Sequence, residues 1–401
     1  MVTGISDEVQ PVQCRCPACP YPVYRQLREM PVHKTLGMWV LTRHADVRAV
    51  MLDRSFSAGL IPRLIGEQAD RVTQGDVGRI ERLARKSLVF TDNPDHARLR
   101  ALVNRVFTAN AVAALRPAIA AIAEELVENA RGRGEMDAIA DFAGPLPLRV
   151  MCDWLALPDR VRCQVGQWTH EIRFLLEPGL MTGDDFTRVQ AVVEEFAQAL
   201  AGVIAQRRAH PGGDLISGLL AAETSGDDRL SDEEATFVCI MCFVAGNETT
   251  KSLVGNGLLA LLLNPAQDAR LRARPDLARC AVTETLRYDS PLQFTKRVAT
   301  RDVDEIRAGD QVLLCMGAAN RDPEVFADPD RFDITRNPRE HLAFGHGMLG
   351  CLGGALAELQ AEVAFETLYR RANGLRLLSD QHEWQEHSLI VRGLKHLAVA
   401  L

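Results

Sequence analysis

The chain has 401 residues, 47% hydrophobic and 25% charged, a globular balance with enough apolar material for a large core. Its formal net charge of −7 argues against general attraction to nucleic acid or to anionic membrane surfaces. No stretch reaches the ~18–20 consecutive apolar residues of a membrane span, and the acidic start MVTGISDEVQ lacks a signal-peptide pattern. A cytoplasmic protein with reduced cysteines is expected. No linker-like stretch divides the chain, so residues 1–401 read as one domain and the protein as a monomer.

In chain order, Cys14-x-Cys16-x-x-Cys19 stands in residues 1–20, which read as a mobile terminus. Three thiols there fall short of the four ligands of a structural zinc site. Met38–Leu41 reads as a strand. Residues 58–90 mix glycine, arginine and apolar side chains, as a mobile lid does. Asn93 as a cap and Pro94 in the first turn predict a helix with Leu99, Leu102, Val103 and Val106 on one face. A second helix is predicted from about Ala111 to Asn129, ending before Gly132 and Gly134. Residues 170–190 suggest a helix-loop-helix lid.

Ser231-Asp-Glu-Glu234 is a capping box with three acids at the positive end of a helix dipole. An apolar run follows without proline until Asn264-Pro265, which at ~1.5 Å per residue predicts a rod of roughly 50 Å. A helix apolar nearly all round belongs inside a large core. Cys239, Cys242 and Cys315 read as small core residues. A hairpin is predicted around Ile306 to Leu314, turning at Ala308-Gly309-Asp310. The expected fold class is mainly α with a small β region (α+β).

Four groups of residues carry chemistry. Inside the long helix, Ala245-Gly246-Asn247-Glu248-Thr249-Thr250 is poor helix material for a core, because Gly246 costs ~1 kcal/mol against alanine and Thr hydroxyls bond carbonyls one turn back. It is either a kink filled by satisfied polar groups or a functional pocket. Met241, Val244 and Ala245 share the side of Glu248; Met241 suits a pocket wall and core packing equally. His96 and Arg100, four apart, share a face, and so do Glu284 and Arg287. Residues 344–354 read Phe-Gly-His-Gly-Met-Leu-Gly-Cys-Leu-Gly-Gly, and these glycines allow positive φ and close approach to a flat ligand. An apolar helix begins just after Cys351, so its dipole and free N–H groups are expected to lower the thiol pKa.

This last segment fills every fixed position of Phe-Gly-x-Gly-x-x-x-Cys-x-Gly and resembles the haem-binding loop of the cytochrome P450 family. Ala-Gly-x-Glu-Thr, Glu284-x-x-Arg287 and the helix start at 91–100 resemble further family motifs, and the resemblance runs from about Tyr21 to Gly393. It implies haem b held between the long helix and the loop, with Cys351 as axial iron ligand, a thiolate that favours O–O cleavage. By the same resemblance Phe344, Gly345, Gly353 and Ala245 contact haem, and His96, Arg100 and Arg297 anchor its propionates. Thr249 and Glu248 supply protons for oxygen activation, Glu248 through water. Arg331 joins Glu284 and Arg287 in a structural lock, and Phe90, Met241, Val244, Leu292 and Phe294 are candidate substrate contacts.

Two positions depart from the pattern: Glu358 stands where an Arg is frequent, and Leu349 where a propionate-binding His is usual, so the three cations are expected to carry more of the anchoring. The expected activity is insertion of one oxygen atom from O2 into a medium-to-large apolar substrate, by C–H hydroxylation or epoxidation, in secondary metabolism. The alternative is a haem protein of this fold that binds a ligand, recruits a partner or rearranges a substrate without activating O2. No Gly-x-Gly-x-x-Gly fingerprint follows a strand, so electrons from NAD(P)H must arrive through external partners, a ferredoxin and its reductase. The Arg98/Arg105 face suggests a landing area for an acidic partner.

Overall fold

The helix Asp232–Leu263 sets the frame. The computed structural model describes residues 19–401 except 31, 36, 74, 225–227, 373, 380–381 and 387. Both halves of the predicted capping box form: the Ser231 hydroxyl accepts from the Glu234 N–H, and the Glu234 carboxylate accepts from the Ser231 N–H. The helix runs unbroken for 32 residues and packs against helices Pro145–Trp154, Asp159–Ile172, Gly183–Ala209, Ala278–Tyr288 and Gly354–Arg371. Phe237 and Phe243 are fully buried on it, each worth ~2–3 kcal/mol of apolar burial. Gly257 permits the closest approach, since a Cβ there would lie 2.6 Å from the Phe365 ring and 2.8 Å from Thr285 Oγ1. Among the described residues this is the one single helix long and apolar enough to cross a membrane, and 61% of its apolar window is packed inside the protein.

The β region is small. Its strands are β1 (Val32–Thr35), β2 (Met38–Leu41), β3 (Phe56–Ser57), β4 (Glu135–Asp137), β5 (Phe294–Ala299), β6 (Gln311–Cys315), β7 (Arg376–Leu377), β8 (Glu383–Trp384), β9 (Leu394–His396) and β10 (Ala398–Ala400). They form sheets ordered β1-β2-β6-β5-β3, β4-β10-β7 and β8-β9. The predicted strand at 38–41 is β2, which lies parallel to β6. The predicted hairpin needs correction. Gly309 does turn, with φ +89°, but it leads into β6, whose antiparallel partner is β5. Ile306 makes only an isolated bridge to Val303, closed over by the Arg307–Asp302 ion pair.

Two other expectations change. Asn93 is not a cap: Pro94 holds the cap position in helical backbone before helix Asp95–Asn104, and Asn93 Nδ2 donates toward Met348 Sδ at 3.1 Å. The second helix is two, Ala109–Ala113 and Arg116–Arg131. Pro117 explains the break, because it lacks an N–H and its ring disfavours helix in the residues before it. The first lid region is helical, Leu60–Val72 and Gly78–Lys86. The second is a helix-loop-helix as expected, with two short turns (Arg173–Leu176 and Pro178–Leu180) joining helices Asp159–Ile172 and Gly183–Ala209. Of the N-terminal cysteines, Cys14 and Cys16 lie outside the described residues, and Cys19 is exposed.

The buried lock forms with a different third member. Glu284 and Arg287 are both fully buried, paired at 2.7 Å. Arg336 completes the set, its Nε 3.3 Å from Glu284 Oε1. Arg331 instead points outward, 64% exposed, to Asp333. Arg331 ends a turn closed by its own N–H on the Asp328 carbonyl, while the next residue, Phe332, is buried. Arg287 also donates to the carbonyls of Pro329, Asn320 and Arg331. Asn320 Oδ1 accepts from Leu342 N–H at 2.6 Å, which ties the lock to the segment carrying Cys351.

Candidate active site between Cys351 and the long helix

The loop before Cys351 is built from backbone. Gly345 and Gly347 have φ of +69° and +73°, a region that other residues rarely occupy. These turns bring the Cys351 N–H to the Phe344 carbonyl at 2.7 Å and the Gly345 N–H to the Leu342 carbonyl at 2.8 Å. Gly353 caps helix Gly354–Arg371, so the sulfur lies beside the free N–H groups of Gly353 and Gly354. Burial pushes the Cys351 thiol up, and those two N–H groups and Arg100 oppose it without reversing the direction. The expected lowering by the helix start is present as a contribution but is outweighed by desolvation.

Cys351 faces a cavity of about 950 Å³, at the large end for a small-molecule site. Its opposite wall is the long helix, where Met241, Val244, Ala245, Gly246, Glu248 and Thr249 all line the space. The helix is not broken there. Thr249 Oγ1 donates to the Ala245 carbonyl at 2.6 Å, the backward bond expected of a helical Thr. Glu248 is buried and ion-paired with Lys251 at 2.7 Å, and Gln385 Nε2 donates to it at 3.3 Å. Burial alone would raise its pKa, but Lys251 and then Arg173 outweigh burial, so the carboxyl is held below its usual range. Cys242 also lines the cavity instead of lying wholly in the core, and burial pushes its thiol up to about 12.

The residues present fit haem. Small residues flank the space on both sides, Ala245 and Gly246 on the helix and Gly345, Gly350 and Gly353 on the loop, and a Cβ at Gly246 or Gly353 would meet nothing within 4 Å. Two guanidiniums at the edge lack a carboxylate partner among the described residues. Arg297 is buried and bonds only Thr295 Oγ1 and the Lys296 carbonyl, and burial lowers its pKa to about 10 against the pull of Asp92. Arg100 donates to the Gly350 carbonyl at 2.6 Å, and burial lowers its pKa too. Buried cations without partners are costly, and two propionates would satisfy both.

His96 lies behind the loop rather than on the cavity wall. Its Nδ1 faces the Leu88 carbonyl at 3.0 Å and its Nε2 the Met348 carbonyl at 3.1 Å. One of these is a hydrogen bond in either neutral tautomer, and both are in the imidazolium. The remaining named wall residues, Phe90, Leu292, Phe294 and Phe344, do line the cavity, as does Leu349. Arg98 is not free for a partner protein, being paired with Asp228 and Glu234. Lys251, Arg173, Lys296 and the Glu177–Ser388 contact escaped the sequence reading. Only Lys251 left a signal, its three-residue spacing from Glu248.

A cysteine facing a cavity beneath a helix, with two guanidiniums at its edge that have no carboxylate partner among the described residues, is an arrangement that suits a haem-thiolate site. The Cytochrome P450 family model matches residues 275–373. The chain is 36% identical to the biotin biosynthesis cytochrome P450 of Bacillus subtilis (strain 168), over 95% of each chain. It is 35% identical to the 6-deoxyerythronolide B hydroxylase of Saccharopolyspora erythraea, over 95% of this chain and 96% of that one. Among solved structures it resembles CalO2 with a TM-score of 0.89 and 37% identity, covering 98% of both chains. The chain belongs to the cytochrome P450 family, and it is a monooxygenase that uses haem.

Proposed function

We propose that Cys351 would supply the thiolate that holds the iron of haem b and that the chain hydroxylates or epoxidises a medium-to-large, mostly apolar organic molecule in secondary metabolism. The observation that carries this reading is the one cavity that Cys351 on its floor shares with Thr249 and Glu248 on the helix wall. Haem, when bound, supplies the redox chemistry that activates O2. Arg297 and Arg100 hold the propionates, and His96 braces the loop from behind through Met348. The Thr249 hydroxyl, which donates to the Ala245 carbonyl, is placed to accept a hydrogen bond from a group in the pocket. The ionised Glu248, reached by Lys251 and Gln385, takes protons from the solvent side and passes them on through water.

Apolar side chains at Phe90, Val244, Leu292 and Phe294 exclude bulk water from the reacting region. Electrons come from NAD(P)H through a ferredoxin and its reductase in the cytoplasm, since the string Gly345-x-Gly347-x-x-Gly350 does not follow a strand and is therefore no dinucleotide fingerprint. The test is turnover of a panel of apolar substrates with those redox partners under isotope-labelled dioxygen. Products carrying one labelled oxygen, formed only with NAD(P)H, are expected. Products without label, or formed without reductant, would instead favour redox-neutral chemistry.

A further inference from the structure

The substrate side of the cavity is mostly apolar, yet two cations face it. Arg173 comes from the lid turn Arg173–Leu176 and Lys296 from β5, and both line the space. Neither has an ion-pair partner among the described residues. Arg173 Nε is buried without a hydrogen-bond partner, and its guanidinium lies over the Phe174 ring, 4.6 Å from the centroid. Lys296 is half-buried, and burial lowers its pKa against the pull of Glu177.

The neighbouring acids are already engaged. Glu248 accepts from Lys251 and Gln385. Glu177 accepts from Ser388 Oγ at 2.5 Å and from the Leu389 N–H at 2.9 Å. Asp185 closes the capping box of its own helix and pairs with Arg188. Only Glu386, on the exposed rim, is left. Because Arg100 and Arg297 belong to the haem edge, Arg173 and Lys296 are the two lining cations on this side that neither the cofactor nor an ion pair occupies among the described residues.

We propose that the substrate is amphiphilic, with a carboxylate held by Arg173 and an apolar body reaching toward Thr249. The proposal rests on the haem-monooxygenase reading and names the substrate class for that site. An arginine presents Nε–H and a neighbouring Nη–H as a parallel fork that matches the two oxygens of a carboxylate. The buried Nε of Arg173, which has no partner, would complete that fork once the side chain turns toward the cavity. Phe174 keeps the guanidinium plane in place through a cation–π contact, and Lys296 adds positive potential from the sheet side.

The test is calorimetric titration of the haem-loaded protein with tetradecanoic acid, its primary alcohol and its methyl ester. A charge-assisted fork predicts roughly 10- to 100-fold tighter binding of the acid than of the alcohol. Arg173→Gln should abolish most of that preference while leaving alcohol affinity unchanged, and Arg173→Lys should restore part of it. A role for Arg173 purely as a distant counter-ion to Glu248 would change turnover but not head-group preference. If the acid binds no better than the alcohol, or if its advantage survives in Arg173→Gln, the proposal is overturned. The same preparations are checked by their carbon-monoxide spectrum, so a failure of the haem-thiolate reading shows itself separately.

Discussion

Beneath the cavity, the segment 344–351 is held by its own backbone, with Cys351 N–H on Phe344, Gly345 N–H on Leu342 and Gly350 N–H on Gly347. Behind it stands the fully buried Glu284–Arg287 pair. Above the cavity, the lid at 173–181 reaches the C-terminal loop through Glu177 alone among its carboxylates, and Leu180 and Leu389 at that rim remain 63% and 60% exposed. The floor must hold one sulfur in one place, so its geometry is over-determined. The roof must open for a substrate, so a few side-chain bonds close it. Low local stability is the usual property of segments that admit ligands.

Changes beneath the floor should therefore cost most. Arg287→Ala leaves Glu284 buried without its main partner, and breaking such a pair costs ~3–5 kcal/mol. Urea unfolding should show that loss together with poor haem retention; near-wild-type stability would mean that the lock does not support the loop. Arg297→Ala removes a charged hydrogen-bond donor worth ~1.5–3 kcal/mol. Haem transfer to an acceptor globin should then run many-fold faster, the more so because Leu349 offers no substitute. An unchanged transfer rate would remove Arg297 from the propionate site.

On the helix wall, Lys251→Met tests the state of Glu248. The folded-state pKa of Glu248 is depressed, so its contribution to stability is present above the unfolded carboxylate pKa and is lost as pH falls through the folded value. Without Lys251 the raising effect of burial faces only Arg173 and Gln385, and the pKa must rise. The acid limb of turnover and that of thermal stability should both move to higher pH. Superimposable profiles would show that Lys251 does not set the ionisation of Glu248. The smallest effect belongs to the roof: Glu177→Ala should cost about 1 kcal/mol and speed amide exchange across 173–181 without touching 344–351. Equal acceleration in both segments would erase the contrast between floor and roof.

How much of this could be read from the sequence follows the same division. Cys351, Thr249, Glu248 and the glycines of the loop were legible because each sits in a short contiguous pattern with a local physical reason. The long helix was legible through its capping box and its unbroken apolar run. Arg336 was missed in favour of Arg331, because the turn closed at 328–331 decides which arginine reaches Glu284. His96 was placed by spacing on the cofactor, whereas its ring bonds backbone at Leu88 and Met348. The Glu177–Ser388 contact spans 211 residues, and no sequence period connects such positions. The break at Pro117 was readable and was overlooked.

The central claim is that Cys351 is the thiolate at the floor of the site. Its most direct test is the difference spectrum of dithionite-reduced protein with carbon monoxide, wild type beside Cys351→Ala. A strongly red-shifted Soret band in the wild type, lost in the variant, is the predicted result. Protein that binds no haem, or a band that the substitution leaves unchanged, would contradict the assignment and the chemistry built on it.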